Sequence, residues 1–148
     1  SKAVYPIEYR GGKPPQLIAK IPNALCALAL NQFKKLARFN EHRKDIAQIY
    51  SKALGKKIIE NHLYLRYTLT SAKRDEILRK AKGEGIFLGN WYSSALAPQG
   101  VSYEVFGYNP ILCPRAEKAG IESFNLPTHI GITKESAKRI CSFLRKYL

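Results

Sequence analysis

The sequence predicts an α/β fold, in which a small sheet of about three strands carries helices on one face and a long helix lies near the N-terminus. Apolar residues recur at three- and four-residue spacing between Leu25 and Leu54, which is the period of one helix face. Three short segments rich in aromatic and apolar residues follow, a composition typical of strands. Helical segments alternate with these strands, and that order favours a layer of helices on a sheet.

The first part of the chain is predicted to hold an arm and the long helix. Residues 1–20 should form an extended arm or linker, because the segment 11–15 reads Gly-Gly-Lys-Pro-Pro and cannot lie inside a helix. The helix should begin at Pro22, since proline is well suited to a first helical position, and should end at Leu54 before Gly55. Its weakest point is expected at 40–42, where a bend or a break would divide it.

The rest of the chain, with the helix, is predicted to form one domain over 21–148. Thr70 or Ser71 should cap the second helix and Thr133 the last one. Pro and Gly residues between 93 and 110 indicate a loop. The elements expected after the long helix are a strand over 62–69, a helix over 72–82, a strand over 86–88, a helix over 114–119, a strand over 121–126 and a helix over 134–147.

The charge balance is strongly basic, with 25 Lys and Arg against 11 Asp and Glu and a formal net charge of +14. Such a surplus attracts phosphates, or it serves as a solvated surface that keeps the protein dispersed. The longest apolar run covers 24–30 and is too short for a bilayer, and no signal peptide is recognisable. We therefore expect a cytoplasmic protein with no membrane partner. The chain begins with Ser and contains no Met, so we expect this N-terminus not to be that of a primary translation product.

The cysteines and histidines argue against several kinds of site. The chain has three cysteines and no Cys-x-x-Cys pair, which disfavours a disulfide framework and a zinc site. Cys26 and Cys141 lie among apolar helix positions and are expected to be buried thiols. No two histidines have the spacing of metal ligands on one helix face, and Ser93 and Ser94 lack the Gly-x-Ser-x-Gly setting of a nucleophile. Hydrolase and metalloenzyme functions are therefore disfavoured, and we expect no metal site.

Several segments of the chain, taken in order, carry a recognisable pattern. They are 21–33, Lys35-Leu36, Arg43 with Ala47 and Tyr50, 85–87 with Trp91-Tyr92, 114–117 and 126–133. Together they resemble the C-terminal small domain of the pyridoxal-phosphate-dependent sugar aminotransferases of the DegT/StrS type, whose closing motif reads Leu-Pro-x-His-x-Gly-Leu-Thr. The resemblance covers about residues 18–148 and supports the predicted fold of a small sheet with helices on one face.

The resemblance implies a function for the complete protein. Such a protein would move an amino group from glutamate or glutamine to a nucleotide-linked keto-sugar, usually for polysaccharide synthesis, and would act as a homodimer. Its cofactor, pyridoxal phosphate, would be held by a larger domain upstream, so this chain alone is expected to bind no cofactor and to be inactive. Asn90, Trp91 and Tyr92 would face the substrate, and Lys20 would lie near the cofactor phosphate. No catalytic residue is assigned in this chain.

Several departures from the family pattern bear on the site. The family's Asn-x-Arg before the first helix is replaced by Ile18-Ala19-Lys20, which keeps one positive charge. Trp91 stands where the family has a substrate-facing histidine, and Leu96 replaces a second histidine. These changes predict either a substrate unlike a typical keto-sugar or a site that has diverged. Alternatively, Trp91 and Tyr92 are loop aromatics that anchor the sheet.

A second hypothesis is a free-standing basic α/β module that binds nucleic acid or a protein partner without catalysis. Tyr64, Tyr67, Phe87 and Trp91 could then stack on bases. Strand alternation would place Tyr64 and Arg66 on one face and Tyr67 on the other, which leaves a thin stacking surface. Because no known nucleic-acid motif is present, a nucleic-acid partner is disfavoured.

Overall fold

The structure is a computed structural model, and it describes residues 20–97 and 99–148 of the chain. The predicted arm over 1–20 therefore lies outside the described residues, apart from Lys20. The helices and strands are α1 (Asn23–Lys34), α2 (Leu36–Leu54), β1 (Tyr67–Thr70), α3 (Arg74–Gly83), α4 (Pro114–Glu122), β2 (Ser123–Leu126) and α5 (Lys134–Leu144), with a single 3-10 turn, Pro110–Leu112, before α4.

The predicted long helix is two helices that meet at Lys35. The expected weak point at 40–42 was wrong, because those residues lie inside α2, where two of the three side chains are hydrogen-bonded. Asn40 accepts a hydrogen bond from Arg43 at 3.0 Å, and the ring of His42 donates one to the carbonyl of His129 at 3.2 Å. The end of α2 is as predicted, since Gly55 adopts a left-handed conformation with φ 64°, which favours glycine.

The sheet consists of two antiparallel strands, in which Tyr67 of β1 lies opposite Leu126 of β2. The predicted α/β class with helices on one face is confirmed, but the third strand is reduced to one bridge between Gly89 and Asn125. The physical reason lies at Ile86, whose N–H donates to the carbonyl of Ala81 in α3 at 2.8 Å. The N–H at the start of the segment 86–88 thus bonds to the end of a helix, and pairing with the sheet begins only after the segment, at Gly89.

The first strand begins five residues later than predicted, at Tyr67. The carbonyls of Tyr64 and Leu65 accept hydrogen bonds from the hydroxyl of Thr128 at 2.7 and 3.0 Å, so a side chain takes the place of a strand partner. Tyr64 and Tyr67 are both buried, and their rings stack with centroids 5.6 Å apart. The expectation that they lie on opposite faces of a strand was therefore wrong.

One hydrophobic core lies between the sheet and helices α2, α3 and α5. Tyr67 and Leu69 of β1 are buried, whereas Thr68 and Thr70 are exposed, so the other face of the sheet carries no helix core. Helix α1 contributes no buried residue. The largest apolar side chains that are fully buried are Ile46, Tyr50, Ile77, Phe124, Leu126 and Leu144.

The cysteines differ in their surroundings. Cys141 is buried in α5 as predicted, but Cys26 is exposed, because helix α1 packs no side chain into the core. Within 20–97 and 99–148, no helix has both the length and the apolar character needed to cross a bilayer.

Candidate substrate-binding cleft

The segment that follows Gly89 is attached to the sheet through one buried amide. Asn125 is only 4% exposed, and its side-chain N–H donates to the carbonyl of Trp91. Its side-chain oxygen accepts a hydrogen bond from the hydroxyl of Thr68 at 2.9 Å. Both ends of the amide are therefore satisfied, as a buried polar group requires. Asn125 thereby fixes the backbone of Trp91 above the open face of the sheet.

The side chains of this segment form a stack of three planar groups. The rings of Trp91 and Tyr92 are nearly parallel, with an interplanar angle of 7° and centroids 5.2 Å apart. The guanidinium carbon of Arg66 lies 4.1 Å from the centroid of the Trp91 ring, a distance at which cation–π attraction is effective. Trp91 is 37% exposed and Tyr92 59% exposed. The contacts therefore fix the three groups relative to one another, and part of each ring surface stays exposed for contact with a ligand.

These groups line a cavity of about 560 Å³, which we call the aromatic cleft. Its volume lies in the range of small-molecule sites. Arg66 gives it a positive charge, and no aspartate or glutamate of the described chain lines it. Such a cleft can stack a sugar or base against an aromatic face and attract an anion. Its principal lining residues are Leu63, Leu65, Arg66, Thr68, Trp91, Tyr92, Ser94 and Asn125.

The predicted site residues fall into two groups. Trp91 and Tyr92 line the aromatic cleft. Asn90 is exposed beside them in the chain, and Lys20 is exposed three residues before α1; neither is among the described residues that line that cleft. The binding role of all four residues stays a prediction.

Arg66 and Asn125 line the cleft, although the sequence pattern assigned neither of them to the substrate site. Each is a polar residue between two large apolar neighbours in a strand-like segment. A buried polar group costs free energy unless it is paired. The position of Asn125 between Phe124 and Leu126 therefore indicated a buried amide with hydrogen-bond partners elsewhere in the chain. Nothing local indicated its partners, because Trp91 and Thr68 lie far away in the sequence.

The residues described here do not fit the task of holding pyridoxal phosphate covalently. That chemistry requires a lysine in an enclosed site, an acidic residue at the pyridine nitrogen and donors for the phosphate. Apart from the half-buried Lys44, every lysine in the described ranges is exposed, and none lines the aromatic cleft. Those ranges also contain no cluster of three or more His, Cys, Asp or Glu residues that could hold a metal ion.

The surface proposed for base stacking is smaller than the sequence indicated. Tyr64 and Tyr67 are 7% and 4% exposed, and the hydroxyl of Tyr67 is hydrogen-bonded to that of Ser51 at 2.9 Å. Of the four aromatic residues, only Phe87 and Trp91 are exposed. The structure therefore gives little support to a nucleic-acid platform on this sheet.

Three solved structures share this architecture, and two of them are described as aminotransferases. The chain matches a DegT DnrJ EryC1 StrS aminotransferase from Brucella abortus with a TM-score of 0.71 and 19% identity, over 95% of this chain and 41% of that one. It matches DesV of S. venezuelae, determined in complex with a ketimine intermediate, with a TM-score of 0.70 and 20% identity, over 82% and 35%. It also matches the aminotransferase TlmJ of Streptoalloteichus hindustanus with a TM-score of 0.61 and 22% identity, over 78% and 33%. At these identities the likeness shows the fold.

The chain belongs to the DegT/DnrJ/EryC1/StrS aminotransferase family, whose family model matches residues 17–145. Aminotransferases of this family are generally dependent on pyridoxal phosphate. A curated relative, a pleiotropic regulatory protein of Geobacillus stearothermophilus, is 26% identical over 144 residues, which covers 87% of this chain and 38% of that protein. The chain therefore spans well under half the length of the relatives it matches.

Proposed function

We propose that this chain is the C-terminal small domain of an aminotransferase that transfers an amino group from glutamate or glutamine to a nucleotide-linked keto-sugar. Membership of the family supports the aminotransferase class. The relatives are more than twice as long as the matched segment, which supports a separate cofactor-holding domain. The observation that carries the proposal is the stack of Arg66, Trp91 and Tyr92 at an open cleft.

In this proposal the chain supplies substrate binding and another part of the protein supplies the chemistry. That other part would hold pyridoxal phosphate, which supplies the chemistry of amino transfer when it is bound. Trp91 and Tyr92 would contact the sugar or the base by stacking, and the charge of Arg66 would attract the phosphates that link them. Asn125 is a positioning residue, because its side-chain amide holds the backbone of Trp91. Asn90 would contact the substrate from the edge of the segment, and Lys20 would approach the cofactor phosphate.

The complete protein is proposed to be a homodimer. Helix α1 supports this proposal, because it has no buried residue although it carries several large apolar side chains. Leu25, Leu28 and Phe33 are 54%, 60% and 71% exposed. Apolar surface of this kind marks contact with another domain or subunit.

Trp91 is the only tryptophan of the chain, so its fluorescence reports directly on the aromatic cleft. We expect titration with a nucleoside-diphosphate-linked hexose to change this emission and the free hexose to change it far less. Tyr92→Ala should weaken binding roughly tenfold, since stacking on one aromatic ring contributes about 1–3 kcal/mol. Tyr103→Ala is the matched control, because Tyr103 is also a partly exposed tyrosine, 37% against 59% for Tyr92, and does not line the cleft. Equal affinity for both sugars would contradict the proposal.

A second test uses the complete enzyme and separates binding from chemistry. Trp91→Ala should raise the KM for the nucleotide-linked sugar and leave the KM for the amino donor unchanged. An unchanged substrate affinity in this variant would assign the rings to packing alone.

A further inference from the structure

The two edges of β1 differ in their hydrogen bonding. The N–H of Ser71 donates to the carbonyl of Glu122 at 3.0 Å, so these residues form a hydrogen-bonded pair at the end of the ladder. Bonded and non-bonded pairs alternate in an antiparallel ladder. Tyr67 and Leu69 therefore bond to β2, whereas the backbone groups of Thr68 and Thr70 point toward the opposite edge.

The same alternation is visible on the partner strand. Asn125, which lies opposite Thr68, exchanges both backbone hydrogen bonds with Gly89 at 2.7 and 2.8 Å. The corresponding N–H and C=O groups of Thr68 and Thr70 bond to no residue in 20–97 or 99–148. An edge with unpaired backbone groups is a template for another strand.

A groove of about 980 Å³ runs along this edge, and we call it the edge groove. Its walls are the end of α2 and the residues that follow α5. Arg145 is fixed in that wall, because its guanidinium donates two hydrogen bonds to the carbonyl of Ala53 at 2.9 and 3.2 Å. No aspartate or glutamate of the described chain lines the groove. Its cationic side chains are Lys56, Lys57, Arg66, Lys73 and Arg145.

We propose that the edge groove binds an extended acidic segment of a partner protein, which adds to β1 as a further strand. Backbone groups of Thr68 and Thr70 would pair with the backbone of that segment, the usual source of affinity in strand addition. The lysines would contact its acidic side chains, which steers association and fixes its register.

The positive charge of the edge groove favours an acidic partner over a second copy of the chain or the segment 1–19. A second copy would bring the same cationic side chains against themselves, and like charges in an interface are costly. The segment 1–19 carries Lys2, Arg10 and Lys13 against Glu8 alone, so it too is positively charged. An acidic partner satisfies the charge and the backbone groups together.

The test measures the binding of a fluorescein-labelled peptide of about eight residues, in which valine and glutamate alternate, to the 148-residue chain by fluorescence anisotropy. We expect binding that weakens as salt is added. Two further peptides carry N-methyl groups on the odd or on the even residues, which block backbone pairing along one edge of the peptide. At least one of them should bind roughly tenfold more weakly, because two or more hydrogen bonds are lost.

Charge reversal locates the site. Lys56→Glu with Lys57→Glu should weaken binding of the parent peptide roughly tenfold. Lys34→Glu with Lys35→Glu is the matched control, since it reverses two adjacent exposed lysines outside the groove and should leave affinity unchanged. Circular dichroism of both variants checks that they fold alike.

Three results would overturn the proposal. If both N-methylated peptides bind as well as the parent, the attraction is charge alone. If the control pair weakens binding as much as the groove pair, the peptide has no defined site. If the unliganded chain self-associates and only the groove variant abolishes that association, the edge belongs to a second copy.

Discussion

Asn125 connects the sheet to the aromatic cleft at the scale of a single residue. We predict that Asn125→Ala lowers the free energy of unfolding by about 1–3 kcal/mol, because the hydroxyl of Thr68 and the carbonyl of Trp91 each lose a partner. The emission of Trp91 should also shift in the folded variant, since its backbone is no longer held. Urea unfolding followed by circular dichroism measures the first effect and fluorescence the second.

Thr68 supplies the control for this prediction. Thr68→Val removes the hydroxyl that binds the Asn125 oxygen and leaves the bond from Asn125 to Trp91 in place. It should therefore lower stability with little change in the emission of Trp91. An equal spectral shift in both variants would show that the amide does not position the ring.

The ionisation of the buried Tyr50 should make the free energy of unfolding depend on pH in the alkaline range. Burial raises the pKa of Tyr50, and the neighbouring Cys141 thiol raises it further. The folded chain thus keeps a proton that the unfolded chain loses above about pH 10. Because the folded state then binds more protons, this contribution to stability is complete below that pH and is lost as the pH rises toward the raised pKa.

Replacing this phenol should change both the neutral and the alkaline behaviour. Tyr50→Phe removes the hydrogen bond that the hydroxyl donates to the carbonyl of Pro127 at 2.8 Å and should cost about 1 kcal/mol at neutral pH. The same variant should lose stability less steeply above about pH 10, measured by urea unfolding at several pH values. An unchanged slope in Tyr50→Phe would refute the assignment.

At the scale of an element, helix α5 depends on its cap. The hydroxyl of Thr133 accepts a hydrogen bond from the N–H of Ser136 at 3.0 Å, as the sequence predicted. The pKa of Glu135 is lowered by a hydrogen bond from its own backbone and then by the Thr133 hydroxyl. The start of the helix is thus well supplied with hydrogen bonds, and the helix carries five residues into the core.

We predict that Thr133→Ala costs about 1 kcal/mol of stability because the cap is lost. Thr133→Ser keeps an oxygen at the same place and should restore most of the loss. Thermal unfolding of the two variants checks the prediction, which fails if serine and alanine are equally destabilising.

The elements that sequence patterns predicted well are those with a long apolar period. Helix α5 shows a 3.6-residue stripe, and Ala137, Ile140 and Leu144 of that stripe are buried. The three apolar residues at 86–88 carry no such information, because a short apolar run is compatible with a strand or with the end of a helix. The partner of Ile86 is the carbonyl of Ala81, a contact that the local pattern does not specify.

The candidate site was predicted only in part, because the local sequence does not specify contacts between distant segments. The family resemblance pointed to Trp91 and Tyr92, which share the aromatic cleft. Arg66 and Asn125 reach that cleft from other elements, and only the folded chain brings them near Trp91. Contacts between distant segments are the part of a site that is hardest to predict from a single sequence.

At the scale of the whole molecule, net charge and helix α1 should act in opposite directions on association. The charge of +14 makes copies repel each other, and salt screens that repulsion. The exposed apolar residues of α1 favour contact. We therefore predict that the 148-residue chain self-associates at high concentration and does so more strongly when salt is raised.

Sedimentation velocity at two salt concentrations tests this prediction. Leu28→Ser with Phe33→Ser should abolish the association. Ile111→Ser with Leu112→Ser is the control, because these residues are 84% and 77% exposed on a different part of the surface. Association that persists in the α1 variant would locate the contact elsewhere.

The junction at Lys35 also divides the chain into parts that need not unfold together. Helix α1 has no buried residue, whereas α2 contributes Ile46, Ala47 and Tyr50 to the core. The amide protons of α1 should therefore exchange through local opening at a small free energy, and those around Tyr50 only when the whole core opens. The family match begins at residue 17, whereas we expect the cooperative folding unit to begin near Leu36, where the first helix with buried residues starts.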